Sequence, residues 1–241
     1  MKAKVFPDVF PEGSRKKLLQ IAAKVAPQSL KTGSWTSGSP AFEVFNICTK
    51  HLELLPLPRR AVVSLDQYVS AWIQSFEEGF KNRASKRPGK PVATMADPMV
   101  DIILEAGLKK SPTEVAQVVT DHRLGMAAEN ILGSLLEEYI SIHVQDHGWY
   151  CCWGNTVRHV DFCSKVGGLL QIKNRSNSEN SSSNKVRAGT DIVRWFRIDA
   201  ASGETYWERL CQISGSQDLS EVGFKTFIQN TLKTNPGLLP A

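Results

Sequence analysis

The sequence predicts an α/β chain of the α+β kind: a mixed β-sheet core flanked by helices, preceded by a mostly helical N-terminal part. Three observations predict it. Residues 14–26 and 65–80 carry apolar side chains at helical spacing. Residues 149–173 instead break into short apolar runs separated by glycine-bearing turns, the pattern of paired strands. Between the two lies a strongly signalled helix start at Ser111-Pro112-Thr113-Glu114. The division is therefore drawn at 110/111, with residues 1–110 packed on or extending a core formed by 111–241.

In chain order, Ser14 can cap a helix to about Ala26, with Leu18, Ile21, Ala22 and Val25 on one face. Pro27 to Pro40 is rich in Ser, Gly and Pro and reads as a loop. Residues 41–55 fit a short helix or a buried strand, ended by Pro56 and Pro58. Ser64-Leu65-Asp66-Gln67 has capping-box form and opens a helix whose stripe is Val69, Trp72, Ile73, Phe76 and Phe80. That stripe is core packing or, less simply, a dimer interface. Lys81 to Lys90 holds five cations and no acid, Lys86 and Arg87 at its centre. Such a loop can lie along a DNA backbone without reading its bases, or can merely be solvated. Asp97-Pro98 opens another short helix.

The helix announced at Ser111 is expected to break near Gly125 and resume from Leu124 to His143. Leu124, Ala128, Ile131, Leu135 and Tyr139 would face inward. Gly148 ends it. Trp149 to Trp153 then reads as a first strand, Gly154-Asn155 as a turn, and Val157–Phe162 and Leu169–Ile172 as two strands joined at Gly167-Gly168. Residues 190–198 fit a helix or a buried strand, and 205–213 a returning strand. Ser220 caps a last helix with Val222, Phe227, Ile228 and Leu232 inside, and the tail from Asn235 is expected to be loose.

At 241 residues the chain is one domain, or one domain with a sizeable extension. A net charge of +5 is modest, but its placement is informative. Arg158, Lys165, Lys173, Arg175, Lys185, Arg187, Arg194 and Arg197 crowd one stretch, opposed by Asp161, Glu179 and Asp191. That excess suits a polyphosphate partner, or protects a sheet edge. The N-terminus lacks an apolar run of signal-peptide length, and no segment approaches a membrane span. Five unevenly spaced cysteines point to reduced thiols and a cytoplasmic protein. Cys151, Cys152, His159 and Cys163 cluster, but adjacent strand cysteines point to opposite faces, which favours core packing over zinc.

The chemistry concentrates at 157–175. Gln171 and Lys173 are two apart on one strand, so both leave the same face, and Asp161 closes the strand beside them. A carboxylate supplies hard oxygen to Mg²⁺, which acidifies a bound water and screens a phosphodiester; a lysine stabilises the hydroxide or the developing charge. On the preceding helix, Glu129 and Glu137 share a face and are candidates for a further ligand, or are ordinary solvated glutamates. Residues 174–184, rich in Ser and Asn, read as a linker by composition. Beside a metal-binding strand they read better as a recognition loop, with Asn177 and Asn180 available to base edges.

The run Asp161-(x)9-Gln171-x-Lys173 resembles the PD-(D/E)xK nuclease signature, with Gln171 where that family has an acid. The continuation from Gln171 through Lys185-Val186-Arg187-Ala188-Gly189 to Thr190 is similar to type II restriction endonucleases of the SinI-like group. That resemblance implies a restriction-endonuclease-like fold and Mg²⁺-dependent cleavage of double-stranded DNA by a homodimer. The implied target is a short palindrome such as GG(A/T)CC, protected by a cognate DNA methyltransferase acting on the same site. It assigns Asp161, Gln171 and Lys173 to catalysis and Asp161, Gln171 and Glu137 to the metal, with Glu129, Asp191 and Glu179 as alternatives. Arg175, Lys185, Arg187, Arg194, Lys86, Arg87, Asn177 and Asn180 fall to DNA contact. The neutral glutamine leaves three outcomes: a substitute acid, a weaker site using Gln171 itself, or an inactive DNA-binding module. A repair or recombination nuclease of the same fold is the enzyme alternative.

Overall fold

A computed structural model describes residues 10, 13–30, 34–57, 64–89, 97–176 and 191–239. The first helix, α1 (Ser14–Ser29), starts on Gly13 in the left-handed region at φ 82 and not on a serine cap. Ser14 is itself the first helical residue and is buried, and Pro27, expected to begin a loop, lies inside the last turn. The segment left open at 41–55 is helical, as α2 (Pro40–Lys50) followed by a single 3₁₀ turn at Leu52–Leu54.

Polar caps start the next three helices where the sequence places them. Ser64 accepts the Gln67 N–H at 3.2 Å and opens α3 (Leu65–Lys81). Asp97 accepts the Met99 N–H at 3.0 Å and opens α4 (Pro98–Leu108). Ser111 and Glu114 form a full reciprocal capping box at the head of α5 (Pro112–Val144). That helix runs 33 residues without the break expected at Gly125. Its inward face also differs from expectation: Leu135 and Tyr139 are buried, whereas Leu124 and Ala128 are exposed.

Four strands follow: β1 (Trp149–Cys151), β2 (Phe162–Ser164), β3 (Leu169–Arg175) and β4 (Ile192–Ile198). They lie in the order β1-β2-β3-β4, antiparallel except for the parallel β3–β4 pair. Residues 157–161, expected as strand, are not. His159 takes a left-handed φ of 62, and Arg158 N–H leaves the sheet to bond Leu54 O at 2.7 Å. The β2–β3 turn is fixed by Ser164, whose hydroxyl accepts the Gly168 N–H at 2.7 Å, while Gly167 supplies a φ of 98.

The returning strand expected at 205–213 is also a helix, α6 (Trp207–Ser214), because Trp207, Leu210 and Ser214 bury at a spacing of three and four. Only Thr205 bridges back to Ile198. The last helix, α7 (Glu221–Thr234), is capped by Ser220 as expected but rotated in phase. Phe224 and Thr231 are buried, while Val222 and Leu232 are exposed. The tail is docked, not loose: Asn235 Nδ2 donates to Arg87 O at 2.8 Å, Gly89 N to Gly237 O at 2.9 Å, and Leu238 is buried.

The sheet separates two apolar clusters. Residues of α1, α2 and α3 cover Tyr150, Cys163 and Leu169 on one face. The second half of α5, with α6 and α7, covers Phe162, Leu170, Ile172 and Trp195 on the other. All five cysteines are free thiols and four are buried, so they serve as small apolar fillers. Among the described residues no helix is long and apolar enough to cross a membrane.

Candidate active site

Asp161 sits one residue before β2 and ties three segments together. Its N–H donates to Leu170 O at 2.9 Å, its C=O accepts from Cys152 N–H at 2.8 Å, and its Oδ2 accepts from Ile172 N–H at 2.7 Å. The side chain thus takes the place of the backbone acceptor that the β2–β3 ladder needs next, which fixes the carboxylate's direction. Lys173 follows Ile172 directly and shares its strand face with Gln171 and Arg175.

From the other side, Glu137 of α5 faces Asp161 across a polar cavity of about 210 Å³. The remaining wall is the loop after β1, from Cys151 to Asn155, with Val157, His159 and Val160. Asn155 and His159 both hold left-handed backbone here, at φ 56 and 62. Burial pushes the Glu137 carboxyl up, the Asp161 charge pushes it further, and the Lys173 cation opposes both. Asp161 is likewise raised by burial, against the Ile172 N–H and Lys173. Two carboxyls that hinder each other's ionisation form a site that a cation stabilises. A hard divalent ion held by two carboxylates, with water and phosphate completing its shell, fits this donor set. Burial and the neighbouring Arg158 cation lower the His159 imidazole below its ordinary value.

The other expected site residues are placed as follows. Gln171 is buried, paired in register with Arg194, and does not line the cavity. Glu129 is exposed two turns up α5 from Glu137. Asp191 is exposed just before β4, whose first residue pairs with Leu169, so it lies at the opposite end of β3 from Lys173. Arg175 is exposed, and the Arg194 guanidinium stands 5.6 Å from the Phe196 ring centre. Arg197, part of the basic run, is buried against Glu221 and Asn174. Asn177, Glu179, Asn180, Lys185 and Arg187 lie outside the described residues.

Glu138 is the residue that the sequence does not distinguish. It is 3 % exposed and accepts from Arg83 Nε at 2.9 Å, from Ser85 N–H at 2.8 Å and from the Ser85 hydroxyl. The basic turn bearing Lys86 and Arg87 is therefore anchored beside the cavity, with Asn235 holding its other end. Neighbouring helix residues diverge by about 100°, so of two adjacent glutamates one faces the cavity and the other the turn.

A mixed sheet with helices on both faces, and an acidic hairpin met by a helix glutamate, is the architecture of the PD-(D/E)xK nuclease class. The profile described as SinI restriction endonuclease matches residues 50–234, and the chain belongs to that family. It is 36% identical over 175 residues to the type II restriction enzyme Eco47I of Escherichia coli, covering 70% of this chain and 74% of that one. It is also 36% identical over 172 residues to the type II restriction enzyme SinI of Salmonella infantis, covering 69% and 73%.

Proposed function

We propose that this protein is a Mg²⁺-dependent type II restriction endonuclease, hydrolysing phosphodiester bonds in both strands of double-stranded DNA at a short palindrome. GG(A/T)CC is the first sequence to test. The observation that carries the reading is the convergence of Asp161 and Glu137 on one polar cavity, with the Lys173 charge acting on both. Asp161 and Glu137 would hold the cation, and Glu137 would replace the acid missing at Gln171. Bound there, a divalent ion makes a water more acidic and screens the phosphate.

The chain's own groups do the rest. Ile172 N–H orients the Asp161 carboxylate so that no rotamer search precedes binding. Lys173 offers a proton donor and positive charge to the attacking water and the phosphate. The turn anchored by Glu138 presents Lys86 and Arg87 to the DNA backbone, while Arg175 and Arg194 flank the strand. One site per chain and two strands to cut imply a homodimer. A cytoplasmic location beside a cognate methyltransferase completes the proposal.

Incubation with plasmid DNA and Mg²⁺ should give discrete fragments. Asp161→Ala and Lys173→Ala should each abolish cleavage while binding in Ca²⁺ is retained. Smears would favour a repair nuclease, binding without nicking an inactive module, and wild-type rates in both variants would remove the site.

A further inference from the structure

We propose that Asn155 and His159 form the part of the cavity mouth that receives a backbone phosphate of the DNA. The choice of ligand rests on the nuclease reading above; the placement of the two side chains rests on the fold. Both line the cavity that also takes in Glu137 and Asp161. The two acids are half-buried, whereas Asn155 and His159 are exposed. A group entering from solvent therefore meets an amide and an imidazole before it meets a carboxylate. An amide offers two N–H donors, and an imidazole offers at least one whatever its protonation state. Among the described residues neither side chain has a hydrogen-bond partner. Arg158, exposed beside His159, adds positive charge to that side of the mouth.

The loop leaves those donors little freedom to turn away. Asn155 lies between Gly154, whose C=O accepts from the Ser75 hydroxyl at 2.6 Å, and Thr156, whose C=O accepts from the Trp72 indole N–H at 2.8 Å. His159 follows Arg158, whose N–H donates to Leu54 O at 2.7 Å and whose Nη1 donates to Glu53 O at 3.4 Å. Two residues beyond it, Asp161 is bonded to Cys152 on one side and to Leu170 on the other. With their flanks fixed, Asn155 and His159 take left-handed backbone, at φ 56 and 62. Glycine adopts that conformation at no steric cost, so an amide and an imidazole kept there carry strain that the turn itself does not require. Donors held in place beforehand suit an anion, because binding then has no loop to order.

Binding of the full chain to duplex DNA in Ca²⁺ tests this. One duplex spans the site at which the wild type cuts plasmid, and an unrelated duplex of equal length is measured beside it. Asn155→Gly and His159→Gly should each raise the dissociation constant about 10-fold for both duplexes, because a phosphate contact weakens binding whatever the bases. Their melting temperatures should hold or rise by a few degrees, since glycine relieves the left-handed backbone. A merely structural residue would lose stability together with affinity. His159→Asn keeps an N–H and tolerates that backbone, so it should restore binding to within about threefold of the wild type. A duplex carrying one methylphosphonate at the cut phosphate should bind the wild type about 10-fold more weakly, and each glycine variant should lose at least about threefold less, its contact being gone already. Glycine variants that bind as the wild type does, or losses that simply add to that of the methylphosphonate, would overturn the assignment and leave the nuclease reading standing. So would melting temperatures lowered by several degrees, or weakening confined to the cut sequence, which would make the two residues readers of bases. A wild type that neither cuts plasmid nor binds duplex DNA would instead remove the nuclease reading itself.

Discussion

The two halves of α5 obey the same backbone geometry and live in different surroundings. From Leu135 to Val144 the helix is enclosed between the sheet and α7, and it delivers Glu137 to the cavity and Glu138 to the basic turn. From Pro112 to Gly125 only Val115 is buried, and no residue of its companion α4 is, though Asp101 and Leu104 are half-buried. The enclosed half is also the more apolar, with six apolar residues among ten against five among fourteen. What also separates them is whether something lies opposite: Glu137 is aimed into the cavity by a packed helix, whereas the first half has little packed against it among the described residues.

The sharpest way to break this comparison is to truncate one leucine in each half. Leu136→Ala should cost about 3 kcal/mol in urea unfolding, from lost transfer energy and a residual cavity. Leu124→Ala should stay within about 0.5 kcal/mol at concentrations where the protein is monomeric. Equal costs would mean that the open half is covered in the monomer.

Glu137→Gln should lower cleavage roughly 100-fold, which is about 2.7 kcal/mol of transition-state stabilisation. The same change should raise the melting temperature of metal-free protein. Because the folded-state carboxyl is held above its unfolded value, the native state binds the extra proton, and wild-type stability falls as pH rises through that elevated value. The gain from Gln should therefore be a few degrees near about pH 8 and small near about pH 5. Parallel melting curves at both pH values would show that Glu137 is not confined as described. The smallest effect belongs to Glu138→Gln, which keeps the shape and removes the charge opposite Arg83. It should cost about 1 to 2 kcal/mol and weaken DNA binding, with the cleavage rate at saturating DNA nearly unchanged. A loss in that saturated rate would place Glu138 in the chemistry itself.

Much of this was readable from local rules. Ser64, Asp97, Ser111 and Ser220 cap helices because a short polar side chain answers a backbone N–H two or three residues on, a property of a few adjacent positions. The turn between β2 and β3 is legible in Gly167-Gly168, whereas Asp161 reaches the cavity from a bend that strand periodicity does not describe. The failures needed distant information. The strand pattern in 157–161 loses to a bond between Arg158 and Leu54, a hundred residues earlier. The alternation in 205–213 loses to the packing of Trp207 and Leu210 under β4. The phase of α7 depends on Phe224 meeting Tyr139, and the burial of Glu138 depends on the phase of α5 against the sheet. The cavity wall is likewise a loop whose left-handed residues, Asn155 and His159, carry no local signature beyond their tolerance of that backbone.

One contact in that wall has a mechanical consequence. A methyl group at Gly79 of α3 would fall 2.3 Å from Gly154 N, and one at Gly154 would fall 1.9 Å from Ser75 O, so the two chains touch main chain to main chain. The Ser75 hydroxyl also donates to Gly154 O at 2.6 Å, so a hydrogen bond adds to the backbone contact. A tilt of α3 would therefore move the rim of the cavity that Gly154 lines, and the N-terminal helices become part of the tool and not merely its handle.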